Sequence, residues 1–500
     1  MKMKPLIPSV AMVFASGLLF GCPSRLSSAP TASAPQPYGA VPTPTQLVWA
    51  DLEVYAFVHF TVNTFTGREW GQGNEDPAVF KPTDFSADQI VGTLAETGFK
   101  GVILTAKHHD GFCLWPTKTT PHNITKSPWK NGEGDMVKEF ADAAARHHVK
   151  FGVYLSPWDR NATSYGTPAY VELYRTQLRE LLAGYGPLFE VWHDNANGGD
   201  GYYGGSVLEK RKIDAATYYD WTTTRKMIHE LQPGAVIWAE PGDARWVGNE
   251  KGVANYPCWD TVTPTPPQGP TGHEMLDKKF APTGMPDGIR WSPAEADVSI
   301  RPGWFYHSSE DKKVRPPANL LELYFNSVGR GASLLLNVPP DQRGQIHEKD
   351  IASLTGFKQA LDQLYATNFA AGAQVTADAV RGPEFSPANV LKKNREAYWS
   401  TPDATTSATL TLALPEMRTF DAIRLAEAIQ LGQRVRKFAV DVRENGGWRE
   451  WIAYGSSIGM HTILRGSLVT TDGVRLRIIE SAASPCLSEL SLLRVPKIAP

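Results

Sequence analysis

Five hundred residues are too many for one ordinary core, so two domains with accessory segments are expected. Charge is nearly balanced, with 50 Lys+Arg against 52 Asp+Glu and a net charge of −2, and no long run carries one sign; that argues against a nucleic-acid partner. Aromatic residues make up 10% of the chain and include 15 Trp. An indole offers an apolar face suited to the C–H face of a sugar plus one N–H donor, although most single Trp residues simply pack in a core.

The chain opens on an export pattern. Lys2 and Lys4 precede a short apolar run over residues 10–20, too short to persist as a membrane-spanning helix. The run ends at Leu19-Phe20-Gly21-Cys22, which resembles a bacterial lipobox, with Phe20 where a small residue is usual. Residues 1–22 are therefore expected to form a signal peptide ending in a lipidated Cys22. The protein would then be a periplasmic or outer-membrane lipoprotein of a bacterium whose membrane contact is that lipid, with plain secretion as the alternative. Residues 23–45, rich in Ser, Ala and Pro, read as a flexible linker. Cys113, Cys258 and Cys486 remain, an odd number that argues against a disulfide framework.

The first strong strand pattern is Tyr55-Ala56-Phe57-Val58-His59-Phe60, with His59 near its carboxyl end and a polar, aromatic loop carrying Glu69 and Trp70 behind it. Ser86 caps a helix that carries Ile90, Leu94 and Thr97 at helical spacing and stops at Gly98. A strand over 101–106 delivers Lys107-His108-His109-Asp110, and Asp135 opens the next helix. The strand over 150–155 carries Tyr154, a helix spans 170–185, and the strand over 188–192 ends in Trp192-His193-Asp194. Further helices are read over 216–231 and 319–328, and further strands over 235–239, 298–306 and 332–338. Seven strands alternating with helices, with polar residues at their carboxyl ends, predict an α/β fold: an irregular (β/α)8-like barrel over residues 46–345. A helical connector follows over 346–371. From 372 to 500, short period-two segments such as Ala408-Thr409-Leu410-Thr411-Leu412 and Lys437-Phe438-Ala439-Val440-Asp441-Val442 predict an all-β sandwich. Its strand pattern resembles the discoidin-like sandwiches appended to many glycoside hydrolases.

An Asp after a strand more often caps a helix or makes a turn than does chemistry. Trp192, two positions before Asp194 on the same strand face, shifts that balance toward a sugar site. His108-His109-Asp110 raises a metal-dependent hydrolase as an alternative, since imidazole and carboxylate suit zinc. Adjacent histidines on a strand point to opposite sides, however, unless the strand twists or ends there. Neutral imidazoles that hydrogen-bond sugar hydroxyls are the better reading, and no cofactor is expected.

Phe57-Val58-His59-Phe60, Asn63-Thr64-Phe65, Glu69-Trp70-Gly71, Thr105-Ala106-Lys107-His108-His109-Asp110-Gly111-Phe112, Gly152-Val153-Tyr154-Leu155-Ser156-Pro157-Trp158 and Glu190-Val191-Trp192-His193-Asp194 together resemble the α-L-fucosidases of glycoside hydrolase family 29, in order from about residue 50 to 340. The resemblance implies a glycoside hydrolase, a retaining exo-α-L-fucosidase acting on a fucosylated oligosaccharide or glycoconjugate. Asp194 would be its nucleophile, and His59, Glu69, Trp70, His108, His109, Tyr154 and Trp192 its fucose pocket. The family more often has aromatic-Asp-Gly where this chain has His193-Asp194-Asn195, a departure that could alter the polarity of the site. For the acid/base, Glu240 sits directly at a strand end, whereas Glu250 lies in Arg245-Trp246-Val247-Gly248-Asn249-Glu250, which resembles the Arg-Trp-x-Gly-Asn-Glu motif of one fucosidase branch. Glu250 is favoured, with Glu240 and Glu69 behind it. Arg245 is expected to orient a carboxylate in the pocket, and the branch implies a preference for α1,3- and α1,4-linked fucose on branched glycans. A catalytically inactive glycan-binding protein is the other alternative.

Overall fold

The computed structural model describes residues 32–238, 242–267, 269 and 271–498. The expected signal peptide, Cys22, the first part of the linker and Glu240 lie outside the described residues. Eight strands build one parallel sheet: β1 (Val54–Val58), β2 (Gly101–Lys107), β3 (Lys150–Leu155), β4 (Glu190–Trp192), β5 (Val236–Trp238), β6 (Arg245–Trp246), β7 (Ala294–Ser299) and β8 (Ser333–Asn337). They are ordered β5-β4-β3-β2-β1-β8-β7-β6. A parallel bridge between Trp238 and Ala244 brings the two ends together, so the barrel is nearly closed.

Around it stand α1 (Pro44–Ala50), α2 (Val62–Thr66), α3 (Ala87–Glu96), α4 (Met136–Arg146), α5 (Pro168–Gly184), α6 (Trp221–Leu231), α7 (Pro317–Asn326) and α8 (Glu348–Tyr365). Among the described residues no α-helix follows β5 or β6, which is where the barrel is irregular. Two expected boundaries shift. The strand read over 298–306 is β7, ending at Ser299, because Pro302-Gly303 breaks the extended run. The helix read from 216 starts at Trp221, where the Asp220 carboxylate caps the Thr223 N–H.

Both faces of the barrel strands are buried, which explains their continuous apolar runs. Val54, Ala56 and Val58 pack outward with helix residues such as Ile90, Leu94 and Phe140. Tyr55 and Phe57 face inward with Ile103, Tyr154, Trp192, Trp238 and Leu335. The amino end of this interior is plugged by Trp49 on α1, a helix set by a reciprocal Thr43–Gln46 capping box.

The C-terminal domain contains β9 (Gln374–Ala377), β10 (Trp399–Ser400), β11 (Ala408–Glu427), β12 (Val435–Glu444), β13 (Gly447–Gly455), β14 (Thr462–Ser481) and β15 (Cys486–Leu493), all antiparallel. β11 and β14, each 20 residues long, are shared between two layers. One layer pairs β13, β12, the second half of β14, the first half of β11 and β9. The other pairs the first half of β14, the second half of β11, β15 and β10. Register shifts between Ala413 and Arg418 and between Phe420 and Ala422 mark the bend. Leu410, Leu412, Phe438 and Leu476 meet Ile423, Leu425, Leu490 and Leu492 in its core. Of the expected linker, residues 32–43 are described and run along this domain: the Tyr38 N–H donates to the Leu431 carbonyl (2.9 Å), and Arg434 donates to the Gln36 carbonyl.

Arg424 on β11 pins the two domains together. Its guanidinium donates to Glu53 Oε1 (2.7 Å) before β1, to the Tyr365 hydroxyl (2.8 Å) on α8 and to Glu489 Oε2 (3.3 Å) on β15. Burial by itself would push the Glu53 carboxyl up, but the Arg424 charge outweighs it, with His461 and Lys100 adding, and holds it at about 2 instead of 4.5. A carboxylate held low in the folded state contributes its stability in full above 4.5 and forfeits it as pH falls toward 2. Glu53→Gln should therefore lower the unfolding free energy by about 2–3 kcal/mol at pH 7, with the difference from the parent shrinking toward nothing near pH 2, as measured by urea unfolding across that range.

Candidate active site

Asp194 lies two residues beyond the inward-facing Trp192 of β4, at the carboxyl end of the barrel. Its Oδ1 accepts the Ala196 N–H (2.6 Å), a local turn that fixes the side chain. Its Oδ2 accepts the Tyr154 hydroxyl from β3 (3.0 Å) and stands 3.7 Å from His109 Nε2. The side chain is 24% exposed while His59, His108, His109 and Tyr154 around it are buried, so the carboxylate remains reachable from solvent.

The hydrogen-bond network assigns tautomers to two of the histidines. Ser156 Oγ donates to the Trp158 carbonyl (2.7 Å), so its contact with His109 Nδ1 (2.7 Å) needs the proton on that nitrogen. Asn337 Nδ2 donates to the Trp304 carbonyl (2.8 Å) and Ser299 Oγ (2.9 Å), which leaves Oδ1 to accept from His59 Nδ1 (2.8 Å). In both rings Nε2 is then an acceptor. Burial pushes His59 down to about 3 and His108 well below the ordinary imidazole range. Burial also lowers His109, against the pull of the Asp194 charge. The three rings are neutral at neutral pH. His108 and His109 sit together, centroids 4.2 Å apart, because β2 ends at Lys107 with a register irregularity just before it. Lys107 itself turns to the helix side, where Nζ meets Asp159 (3.0 Å) and Gln177 (2.9 Å).

A further side of the site is Trp304, in the loop after β7. Its backbone N–H donates to Glu69 Oε2 (2.7 Å), its indole N–H to Glu250 Oε2 (3.3 Å), and its ring lies 5.2 Å from His59. Glu69 Oε1 also meets His307 Nε2 (2.7 Å), and a side chain on Gly303 would collide with that same oxygen. Trp70 is half exposed and stands edge-on to His109 and Trp158 at 5.7 and 5.8 Å. Trp192 stacks on Trp238 at 3.6 Å and on Tyr154 at 5.3 Å. His59, Glu69, Trp70, His108, His109, Tyr154, Trp192, Asp194 and Glu250 are thus linked by contacts around one end of the barrel.

Arg245 is not part of that set, contrary to expectation. It is buried, and its three guanidinium nitrogens donate to the Ala281 carbonyl (3.1 Å), the Ser292 carbonyl and Cys258 Sγ (3.3 Å). Strand alternation is the reason: on β6 it is Trp246 that faces inward, donating to Asp297 Oδ1 (2.7 Å). His193 also points away from the pocket. It is buried between α5 and α6 with Nδ1 2.6 Å from the Tyr174 hydroxyl and its ring 4.9 Å from Trp221, so of the departing residues this imidazole stays out of the pocket. Asp110 turns away from the histidine pair as well, accepting from Phe112 N–H (2.7 Å), Thr61 Oγ1 (3.2 Å) and Asn63 Nδ2 (3.0 Å). Burial raises its carboxyl to about 8. Among the described residues, no three His, Cys, Asp or Glu side chains converge as metal ligands would.

Trp304, Asn337, Trp246 and Asp297 are site residues that sequence reading did not find. Glu295, Asp297 and Ser299 alternate with Ala294, Ala296 and Val298, a period-two pattern that marks a polar inner face, and Pro302-Gly303 marks the loop that presents Trp304.

A parallel barrel whose carboxyl end gathers a solvent-reachable carboxylate, neutral imidazoles and indole faces defines a sugar-processing barrel enzyme. The family model described as Alpha-L-fucosidase matches residues 40–363. Alpha-L-fucosidase 1 of Arabidopsis thaliana is 39% identical over 479 residues, covering 94% of this chain and 91% of that protein. A glycoside hydrolase 29 family member from an unknown rumen bacterium superposes with a TM-score of 0.83 at 38% identity, covering 93% of this chain and 79% of that one. A Ruminococcus gnavus GH29 fucosidase in complex with fucose superposes with a TM-score of 0.82 at 32% identity, covering 93% and 98%. The chain belongs to the alpha-L-fucosidase family, glycoside hydrolase family 29, and is a glycoside hydrolase.

Proposed function

We propose that this protein is a retaining exo-α-L-fucosidase that releases L-fucose from fucosylated oligosaccharides or glycoconjugates. The observation that carries the reading is the Asp194 carboxylate, held by Tyr154 and Ala196 and open to solvent beside His109. The Ruminococcus gnavus relative, solved with fucose, supports the choice of sugar. Asp194, ionised, attacks the anomeric carbon while Glu250, protonated, gives its proton to the departing glycosidic oxygen. Water then cleaves the fucosyl-enzyme, with Glu250 taking the water's proton. Supporting Glu250 is its bond to Trp304, whose ring packs on His59 at the same end of the barrel as Asp194. The neutral Nε2 atoms of His59 and His109 accept sugar hydroxyl protons, and the indoles supply an apolar wall for the fucose methyl group. Glu69, His108, Tyr154, Trp70 and Trp192 complete the fucose pocket. The Arg245–Glu250 motif supports a preference for α1,3- and α1,4-linked fucose on branched glycans.

Three experiments test this reading. Asp194→Gly should abolish turnover of an aryl fucoside, and added azide or formate should restore it; near-native activity in the variant would sink the assignment. Glu250→Ala should slow natural glycosides far more than substrates with good leaving groups, and that pattern in Glu240→Ala instead would move the acid/base there. On a panel of α1,2-, α1,3-, α1,4- and α1,6-fucosides, released fucose should be greatest for the α1,3 and α1,4 linkages.

A further inference from the structure

Beneath the pocket floor two carboxyl groups face each other inside the barrel. Glu190, the first residue of β4, and Glu295 on β7 are both fully buried. Glu295 receives donors on both oxygens: the Trp192 indole N–H on Oε1 (2.9 Å) and the Tyr55 hydroxyl on Oε2. Glu190 Oε2 accepts the Trp49 indole N–H (2.8 Å), whereas its Oε1 receives no donor among the described residues. Among the described residues the groups that act most strongly on the pair are Tyr55, the two indoles and the Asp297 carboxyl, and none of these brings a positive charge. Two ionised carboxylates in contact without a cation would repel each other in a medium that screens them poorly. One proton must be held between them, and the donor count says where.

We infer that Glu190 is kept as a neutral carboxylic acid whose Oε1–H donates to an ionised Glu295, and that this pair is a positioning device for the nucleophile. Glu295 fixes the Trp192 indole, Trp192 stacks on Tyr154 at 5.3 Å, and Tyr154 holds Asp194 Oδ2 at 3.0 Å. Consistent with this assignment, burial pushes the Glu190 carboxyl well above the carboxylate range and the Glu295 charge adds to it. Burial raises Glu295 as well, opposed by the hydrogen bonds it receives from Glu190, Tyr55 and Trp192. Glu190 and Glu295 touch no substrate. They act on the reaction through Trp192 and Tyr154.

The kinetic half of this inference rests on Asp194 being the nucleophile; the protonation half does not. Infrared difference spectra of the full chain at pH 7 should show the C=O stretch of a neutral carboxylic acid that is lost in Glu190→Gln. No such difference, or loss of the band in Glu295→Gln instead, would overturn the assignment of the proton. On 4-nitrophenyl α-L-fucoside, Glu295→Gln should lower kcat by about tenfold or more with KM changed by less than about threefold, because its amide must turn an N–H against the Tyr55 or Trp192 donor. Glu190→Gln, which offers an N–H in place of the O–H, should recover most of the kcat that Glu190→Leu loses. Equal losses in Glu190→Gln and Glu190→Leu would overturn the positioning role, and that comparison stands even if Glu295→Gln does not fold. Full turnover by Asp194→Gly would fault the nucleophile alone and leave the infrared result to judge the pair.

Discussion

Asn337, the last residue of β8, offers one acceptor oxygen and two amide hydrogens, and the fold uses all of these groups. Its oxygen takes the His59 Nδ1 proton, while its nitrogen reaches Ser299 Oγ and the Trp304 carbonyl. The side chain is fully buried, so turning the amide over would oppose donor to donor and acceptor to acceptor at about 1–3 kcal/mol per broken contact. From this one group follow the tautomer of His59, the closure of the loop after β7 and the seat of Trp304. Glu69 and Glu250 then take their hydrogen bonds from Trp304, so the second wall of the pocket hangs on an amide that touches neither carboxylate. An aspartate here would carry a buried charge, and a glutamine would reach too far.

The barrel interior is mostly aromatic around the buried Glu190–Glu295 pair at its amino end and richer in polar side chains at its carboxyl end. At the amino end Trp49, Leu52, Tyr55 and Phe189 fill the space, and at the carboxyl end Thr105, His59, Ser299 and Asn337 replace them. Stacked Trp192 and Trp238 separate the two regions. The imidazoles at the carboxyl end are buried, and burial denies them the solvation that would let them charge. Their neutrality is thus a consequence of how the barrel is filled more than of any partner they meet.

How much of this was legible in the chain depended on length and periodicity. Strands such as Gly101–Lys107 and Lys150–Leu155 are buried on both faces and read as apolar runs; β6, only two residues long, is held by its neighbour β7 and has no pattern of its own. That is why seven strands were legible and eight exist, and why Arg245 could not be assigned a direction from sequence. The placement of His59, the histidine pair and Asp194 was legible because they come just after strands, and that of Tyr154 because it lies within one. Trp304 was not, since it enters the pocket from a loop held by Asn337 and by Glu69, 235 residues earlier, partners far away in sequence. The capped helices α3 and α4 were read correctly at their starts because Ser86 and Asp135 act locally.

The C-terminal sandwich has a property that its two-layer description conceals. Because β11 and β14 pass from one layer into the other, the hydrogen-bonded ladders of both layers are carried on the same two lengths of backbone. Neither layer can peel away as a separate unit without opening strands on which the other depends. Opening either layer therefore disturbs strands that the other uses, and Arg424, which ties the domain to the barrel, stands on one of those shared strands.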